Sequence, residues 1–374
     1  MLSHQELINR IFARKTSVSF CEFVTSILHD PDYGYYGRER KHPGIYKDFY
    51  TAPELTNAFG ICISKFIISQ LRFFPANEKL AVIEIGSGRG MLMQDIAGNL
   101  AQSGITEEKL EFVLVEQNIS FINEAKQRLS HIKFPITFFS SLDELSFFDS
   151  ALVICNELFD ALPFSRIRLN SGAPVEIFVQ KEDGNIHEIE GAISEEKIEK
   201  IYNRWFSDLT GNGEVEITPG FDIIVNRISK SINRGAMLII DYGDLAHRLY
   251  AEQDPHPTMR CYRNHKVSDN PYEFLGEQDV TCSVNFSELI FEAIISGFSV
   301  ADFTDSRSFF IRWGILDLLS SLAGNGRLDI EKYNEIQKIK NLVLPSGMGD
   351  IFKVLFLEKG IFKKDLIYSL NCKL

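Results

Sequence analysis

The chain has 374 residues, with 39 Lys and Arg against 51 Asp and Glu, and so a formal net charge of −12. Hydrophobic residues at 45% and charged ones at 24% are the proportions of a globular protein with a core, which excludes extended disorder, a collagen-like chain and a membrane bundle. The acidic balance argues against a general nucleic-acid binder, because phosphate-backbone affinity comes mainly from Lys and Arg releasing counterions.

The first zone, about residues 1–78, carries helical patterns at Leu2–Phe12, Phe20–Leu28 and Thr56–Leu71. Between them lies a connection rich in aromatics and turn residues, Asp30 to Gly37 and Asp48 to Glu54. It reads either as a loop packing its own rings or as a lid closing over a ligand. The second zone, about 79–160, alternates apolar runs with helical stretches: Leu80–Ile85, Met91–Leu100, Leu110–Val115, Ile119–Leu129, Ile136–Phe139 and Ala151–Cys155. Runs such as Ala-Val-Ile-Glu-Ile are apolar on both faces, as parallel strands covered by helices must be. The series β-α-β-α-β-β predicts a doubly wound α/β sheet. The third zone, about 163–213, has turn signals at Asn170-Ser171-Gly172 and Asp183-Gly184 between alternating runs, and reads as a β insertion at the sheet edge. The fourth zone returns to α/β: a helix at Ile223–Ile232, strands at Gly235–Ile240 and Phe298–Phe303, a helix at Phe286–Ile295, helices through 306–342, and a last strand at Ile351–Leu357. A long polar segment near 244–280 exceeds an ordinary connection and reads as a functional loop.

Six cysteines, at 21, 62, 155, 261, 282 and 372, include no C-x-x-C pair and no Cys/His cluster at zinc spacing. Free thiols, a reducing compartment and no metal site are expected. The N-terminus lacks an apolar run followed by a small-residue cleavage site, and no stretch approaches the roughly 18 uninterrupted apolar residues of a membrane span. Cytoplasm is the expected location.

Three clusters carry the chemistry. Glu84-Ile85-Gly86-Ser87-Gly88-Arg89-Gly90 is a strand running into a glycine loop and then a helix, where positive φ lets a ligand lie against backbone N–H groups. The next strand ends in Val115-Glu116, which places a carboxylate where it can accept from both hydroxyls of a ribose. A dinucleotide fits poorly, since the third glycine falls one residue early and Glu84 would repel a pyrophosphate. S-adenosylmethionine fits better, because Glu84 then meets an ammonium and a sulfonium. The second cluster, Asn156-Glu157-Leu158-Phe159-Asp160, stands at the carboxyl end of a later strand, so it faces the same crevice as the glycine loop. Asp160 reads equally well as a helix N-cap. The third is Ile240-Asp241-Tyr242-Gly243, placed straight after a buried strand. There is no P-loop lysine and no G-x-S-x-G elbow.

Together these stretches resemble the MidA family of S-adenosylmethionine-dependent methyltransferases, which includes a mitochondrial complex I assembly factor that methylates a protein arginine. The similarity runs from about Phe23 to Leu357. It rests on Gly34-Tyr35-Tyr36, Asp48-Phe49-Tyr50-Thr51-Ala52-Pro53-Glu54, Glu84 to Gly90, Val115-Glu116-Gln117, Asn156 to Pro163, Ile240 to Gly243, Gly276-Glu277-Gln278-Asp279 and Gly347 to Leu355. Ser87 and Lys47 depart from the family pattern, which commonly has Pro and Gly there. The resemblance implies a Rossmann-like class I methyltransferase sheet of about seven strands, with residues 1–78 as a helical region and lid over a core at 79–374. It implies S-adenosyl-L-methionine held by Glu84, Gly86, Gly88, Gly90, Glu116, Gln117 and Asn156. Tyr35, Phe49, Tyr50, Thr51, Pro53 and Glu54 would form the lid or meet the substrate. A protein arginine, in a respiratory-chain subunit or similar partner, would be gripped by Glu157 and Asp160 as a carboxylate matches a guanidinium fork. Asp241 would position the acceptor or take its proton. For a eukaryotic source the location implied is the mitochondrial matrix. Competing readings are an assembly factor that keeps the cofactor fold and a methyltransferase acting on a small molecule.

Overall fold

The computed structural model describes residues 2–38, 52–171, 173–251, 255–324, 329–344 and 347–360. Its contacts divide the chain into two compact units: the first is Met1–Phe49, Phe159–Ile223 and Gly243–Glu292, the second Tyr50–Leu158, Ile224–Tyr242 and Ala293–Leu374.

The second unit is built on β1 (Leu80–Ile85), β2 (Leu110–Val115), β3 (Ile136–Phe139), β4 (Phe148–Asn156), β5 (Ile232–Asp244), β6 (Ser299–Asp305) and β7 (Phe352–Lys359). They lie in the order β6-β7-β5-β4-β1-β2-β3. Strands β1 to β5 pair in parallel, and β7 runs antiparallel to both β5 and β6. Val284–Asn285 adds an eighth strand, parallel to the end of β5 at Gly243 and Asp244, so the sheet is doubly wound as the resemblance implied, with one strand more than the seven expected. All six residues of β1 are buried, as a central strand covered on both faces requires. The chain winds outward from β1 through β2 to β3 and then returns to β4 on the other side of β1. That switch opens a crevice beyond the carboxyl ends of β1 and β4, where open α/β sheets hold their ligands.

One face of the sheet is covered by helices Ala58–Gln70 and Met91–Gln102, which share a core with Val82, Leu114, Ile154 and Ile240. They cross closely, for a Cβ added at Gly60 would meet the Asp95 Cβ at 2.5 Å. Phe66 is the hub of an aromatic cluster, 5.4 Å from Trp313 and 5.0 Å from Phe356 in edge contacts. The residues from Ala58 therefore pack with the sheet, whereas helices Leu2–Ile11 and Phe20–His29 pack in the first unit with Phe164, Val179 and Val280. Among the described residues, 2–38 belong to the first unit and 52–78 to the second, so the division comes well before the change of sequence texture near 78.

Three expectations are corrected. The insertion at 163–213 does not extend the main sheet. Ser165–Asn170, Ala173–Glu182, Asn185–Gly191 and Gly213–Ile217 form a separate antiparallel sheet in the first unit, completed by Ser17–Ser19. The segment near 244–280 is not irregular, since Arg260–Arg263 pairs with both Lys266–Ser268 and Asp279–Thr281. The fifth strand does not stop at Ile240 but continues to Asp244, because pairing with β7 holds Asp241 opposite Lys353 and Tyr242 opposite Phe352.

Candidate functional site

At the end of β1 the chain makes a tight reversal in which Gly86, Gly88 and Gly90 have φ of 72°, 50° and 71°. Side chains other than glycine adopt these values only at a cost. The reasons for glycine differ along the loop. A Cβ at Gly90 would press on the Ala125 Cβ at 3.0 Å, so that glycine lets two helices approach. A Cβ at Gly88 would meet nothing within 4 Å, so its glycine leaves open room in front of the backbone.

Glu116 fastens the loop to β2. Its Oε2 accepts from the Gly88 N–H at 2.9 Å and its Oε1 from the Asn118 N–H at 2.8 Å. The Gln117 N–H also donates to this carboxylate, so of about four acceptor positions one is left. Burial raises the Glu116 pKa, while its backbone donors pull it down. Gln117, the next residue, is exposed.

Glu84 lies beneath the loop, buried inside β1. Burial first, and then the charge of Glu116, push its carboxyl up to about 8, and a hydrogen bond from the Met93 backbone opposes the shift. Its Oε2 has no hydrogen-bond partner, nor has the buried Oγ of Ser87 or the Oδ1 of Asn156 at the end of β4. Buried polar atoms are normally satisfied. Three orphaned oxygens at the carboxyl ends of β1 and β4 mark that crevice as prepared for a polar group.

The turn after β4 is strained. Glu157 has φ of 49° although it is not glycine, the kind of backbone cost that clusters at functional sites. Its N–H donates to the Ile240 carbonyl at 2.9 Å, and its Oε1 accepts from the Asn156 Nδ2 at 3.2 Å. Asp241 holds this turn from the neighbouring strand: its Oδ2 accepts from the Leu158 N–H at 3.1 Å and its Oδ1 from the Tyr242 N–H at 2.8 Å. Fully buried at 0% exposure, Asp241 is placed to fix the backbone rather than to stand at a surface. Its position inside β5, missed when the strand was ended at Ile240, accounts for the difference.

The remaining sequence candidates are dispersed. Glu54 pairs with Arg89 of the glycine loop at 2.5 Å, and Pro53 is buried beside it in the chain. Phe49, Tyr50, Thr51 and Lys47 lie outside the described residues. Tyr35 belongs to the first unit, where only 4% of it is exposed and its ring meets Tyr36 edge-on at 4.9 Å. Asp160 also belongs to the first unit, buried, with its carbonyl accepting from the Cys282 N–H at 3.2 Å. There the Tyr36 phenol is pushed well above its ordinary pKa by burial, with Asp279, Tyr35 and Asp160 adding to the shift. Sequence reasoning passed over Ser87 as a polar group of the loop and Arg89 as the partner of Glu54, although both stood inside the glycine motif. Among the described residues no cluster of His, Cys, Asp and Glu could hold a metal ion.

A family model described as "Putative S-adenosyl-L-methionine-dependent methyltransferase" matches residues 62–304. The mitochondrial protein arginine methyltransferase NDUFAF7 of Xenopus tropicalis is 25% identical over 315 residues, covering 76% of this chain and 70% of that protein. The NDUFAF7 homolog of Caenorhabditis elegans is 27% identical over 302 residues, covering 73% and 67%. A crystal structure of a "likely methyl transferase" from Burkholderia thailandensis, bound to S-adenosyl-homocysteine, has the same fold, with a TM-score of 0.83 at 22% identity over 97% of this chain and 93% of that one.

Proposed function

We propose, from the premise that this chain belongs to the S-adenosyl-L-methionine-dependent methyltransferase family whose model spans residues 62–304, that its methyl acceptor is an arginine of a partner protein. The observation that carries the acceptor is the pair of relatives that bear the name protein arginine methyltransferase over about three quarters of this chain. The partly exposed Glu157, on a backbone turn of positive φ at the crevice, supports it.

The acceptors at the strand ends fit the cofactor. The orphaned Glu84 Oε2 suits the ammonium of its methionine end. The remaining acceptor position of Glu116 suits a ribose hydroxyl, and the open space before Gly88 admits a ligand against the backbone. Gly86, Gly90, Gln117 and Asn156 complete the proposed cofactor set. When bound, the cofactor supplies a methyl group on a positively charged sulfur.

The chain's own work is then alignment and charge. Glu157 grips the guanidinium through charge-assisted hydrogen bonds and takes up the proton released as the nitrogen gains its methyl group. Asn156 Nδ2 steadies the Glu157 Oε1 that does so. Asp241 acts through the turn, holding Leu158 and hence the backbone that aims Glu157. The proposed grip rests on Glu157; Asp160, the second carboxylate offered by the sequence, is buried. Because arginine stays charged in water, a fixed carboxylate is what orients it and offsets the loss of its proton. The expected setting is the cytoplasm, or the mitochondrial matrix for a eukaryotic source, with a respiratory-chain subunit as the kind of partner. No helix among the described residues is long and apolar enough to cross a membrane.

Glu157→Gln keeps the size and removes the charge. Cofactor affinity measured by calorimetry should stay within about threefold while turnover falls by about a hundredfold, the scale of a lost acid–base group. Wild-type turnover in that variant would remove Glu157 from the mechanism. Joint loss of affinity and turnover would move it into the cofactor pocket.

A further inference from the structure

Two carboxyl groups meet at the root of the glycine loop, and they are unequally provided with donors. Glu116, half-buried after the end of β2, accepts from the N–H groups of Gly88, Asn118 and Gln117. Glu84, buried inside β1, accepts from the Met93 N–H in the first turn of helix Met91–Gln102, while its Oε2 accepts from nothing.

The other groups that face Glu84 do not neutralise it. Its direct neighbours in the sheet are Leu114 on β2 and Ile154 on β4, both apolar. The Cys155 thiol of β4 is fully buried and pushed up by that burial, then by Asp241 and by Glu84, so it stays neutral. Among the described residues no Lys, Arg or His adds to the charges that act on Glu84; the one that does is Glu116.

Two carboxyls that share a desolvated place with no cation between them do not both ionise. The one with more donors to its charged form ionises first, and the other keeps its proton. Without cofactor, therefore, Glu116 is the anion and Glu84 the acid. The cofactor brings the missing cation, because its methionine end is an ammonium. A hydrogen bond between two charged partners is roughly twice as strong as one between neutral partners, so an ammonium beside Glu84 favours the carboxylate over the acid.

We propose that the cofactor binds with displacement of a proton from Glu84: the O–H bond of the acid breaks, the carboxylate takes the ammonium in its place, and the proton leaves to solvent. This rests on the placement of the cofactor's methionine end at Glu84 in the proposed function. The consequence is an affinity that follows pH. Burial, and then Glu116, push the Glu84 carboxyl up to about 8. Below that value binding must expel the proton, so affinity rises by about tenfold per pH unit and levels off as the value is reached. Above it Glu84 is already ionised, whereas the ligand's own amine, which loses its proton near about pH 8, must regain one. Release then turns to uptake.

The test is calorimetric titration of the full chain with S-adenosylhomocysteine, which keeps the ammonium and lacks the sulfonium, in buffers of different ionisation enthalpy. The dependence of the heat on the buffer counts the protons exchanged. Release approaching about one proton per ligand is expected near about pH 6.5, with affinity rising about tenfold between about pH 6 and about pH 7. Glu84→Gln should bind without that release and with little dependence on pH in the same range, and a cooperative melt shows that it is folded. The wild-type proton count stands by itself should that variant not fold. Wild-type binding with no proton released and a flat pH profile would overturn the inference and leave the cofactor placement standing. Undiminished release in Glu84→Gln would overturn it by moving the proton to another group. Absence of saturable binding at every pH would overturn both the inference and the cofactor placement.

Discussion

Replacing Glu84 by glutamine should stabilise the protein and impair it at once. The carboxyl is raised from 4.5 to about 8, chiefly by burial. The folded state therefore holds the proton more tightly than the unfolded chain does. The stability associated with it is complete below about pH 4.5 and is lost as pH rises toward about 8. At about 1.4 kcal/mol per pKa unit the loss reaches roughly 4 kcal/mol by the upper end of that window. Glutamine cannot ionise and escapes the loss. Without cofactor, the melting temperature of Glu84→Gln relative to wild type should rise by several degrees between about pH 5 and about pH 8, at roughly 2 °C per kcal/mol for a chain of this size. Cofactor affinity should move the other way. Losing one charge-assisted partner of an ammonium costs about 1.5–3 kcal/mol, or roughly tenfold to a hundredfold in Kd. Thermal melts across pH and calorimetric titration check both. A melting difference that does not change with pH, or an affinity that survives the substitution, would refute the reasoning.

Gly90→Ala should lower the melting temperature more than Gly88→Ala, because both positions have positive φ but only Gly90 is also crowded, by Ala125; melts of the two variants side by side decide this. Glu116→Ala should raise the Kd for S-adenosylmethionine by about tenfold to a hundredfold, read by calorimetry, and tighter binding of NAD than of S-adenosylmethionine would contradict the nucleoside assignment. Asp241→Asn replaces one of two acceptors of backbone N–H groups by a donor. It should cost about 1–3 kcal/mol of stability and reduce kcat more than cofactor affinity, a split that steady-state kinetics and titration reveal together.

The parts of this fold legible in the sequence are those written by local pattern. Runs such as Leu80–Ile85 and Leu110–Val115 are apolar on both faces and read directly as central strands. The glycine loop and the acid after the second strand stood out because backbone geometry and chain order specify them. What was not legible depends on partners distant in sequence. Asp241 became a strand residue only through pairing with Lys353, more than a hundred positions away. The segment around 260–281 looked like a loop because its strands are only three or four residues long and find one another through the fold. The hydrogen bond from the Thr56 hydroxyl to Glu335 spans 279 positions, which no periodicity foretells. The strain at Glu157 is likewise a backbone fact, imposed by Ile240 and Asp241 on the adjacent strand and absent from the residue's own neighbours in sequence.

The acceptor is tested most directly by quantitative mass spectrometry of methylated peptides from cells lacking the gene, with the wild-type chain or Glu157→Gln restored. The account predicts that at least one arginine of a partner protein is methylated with the wild type and unmethylated both in the deletion and with Glu157→Gln. An unchanged arginine methylation pattern across all three, or full restoration by Glu157→Gln, would contradict it.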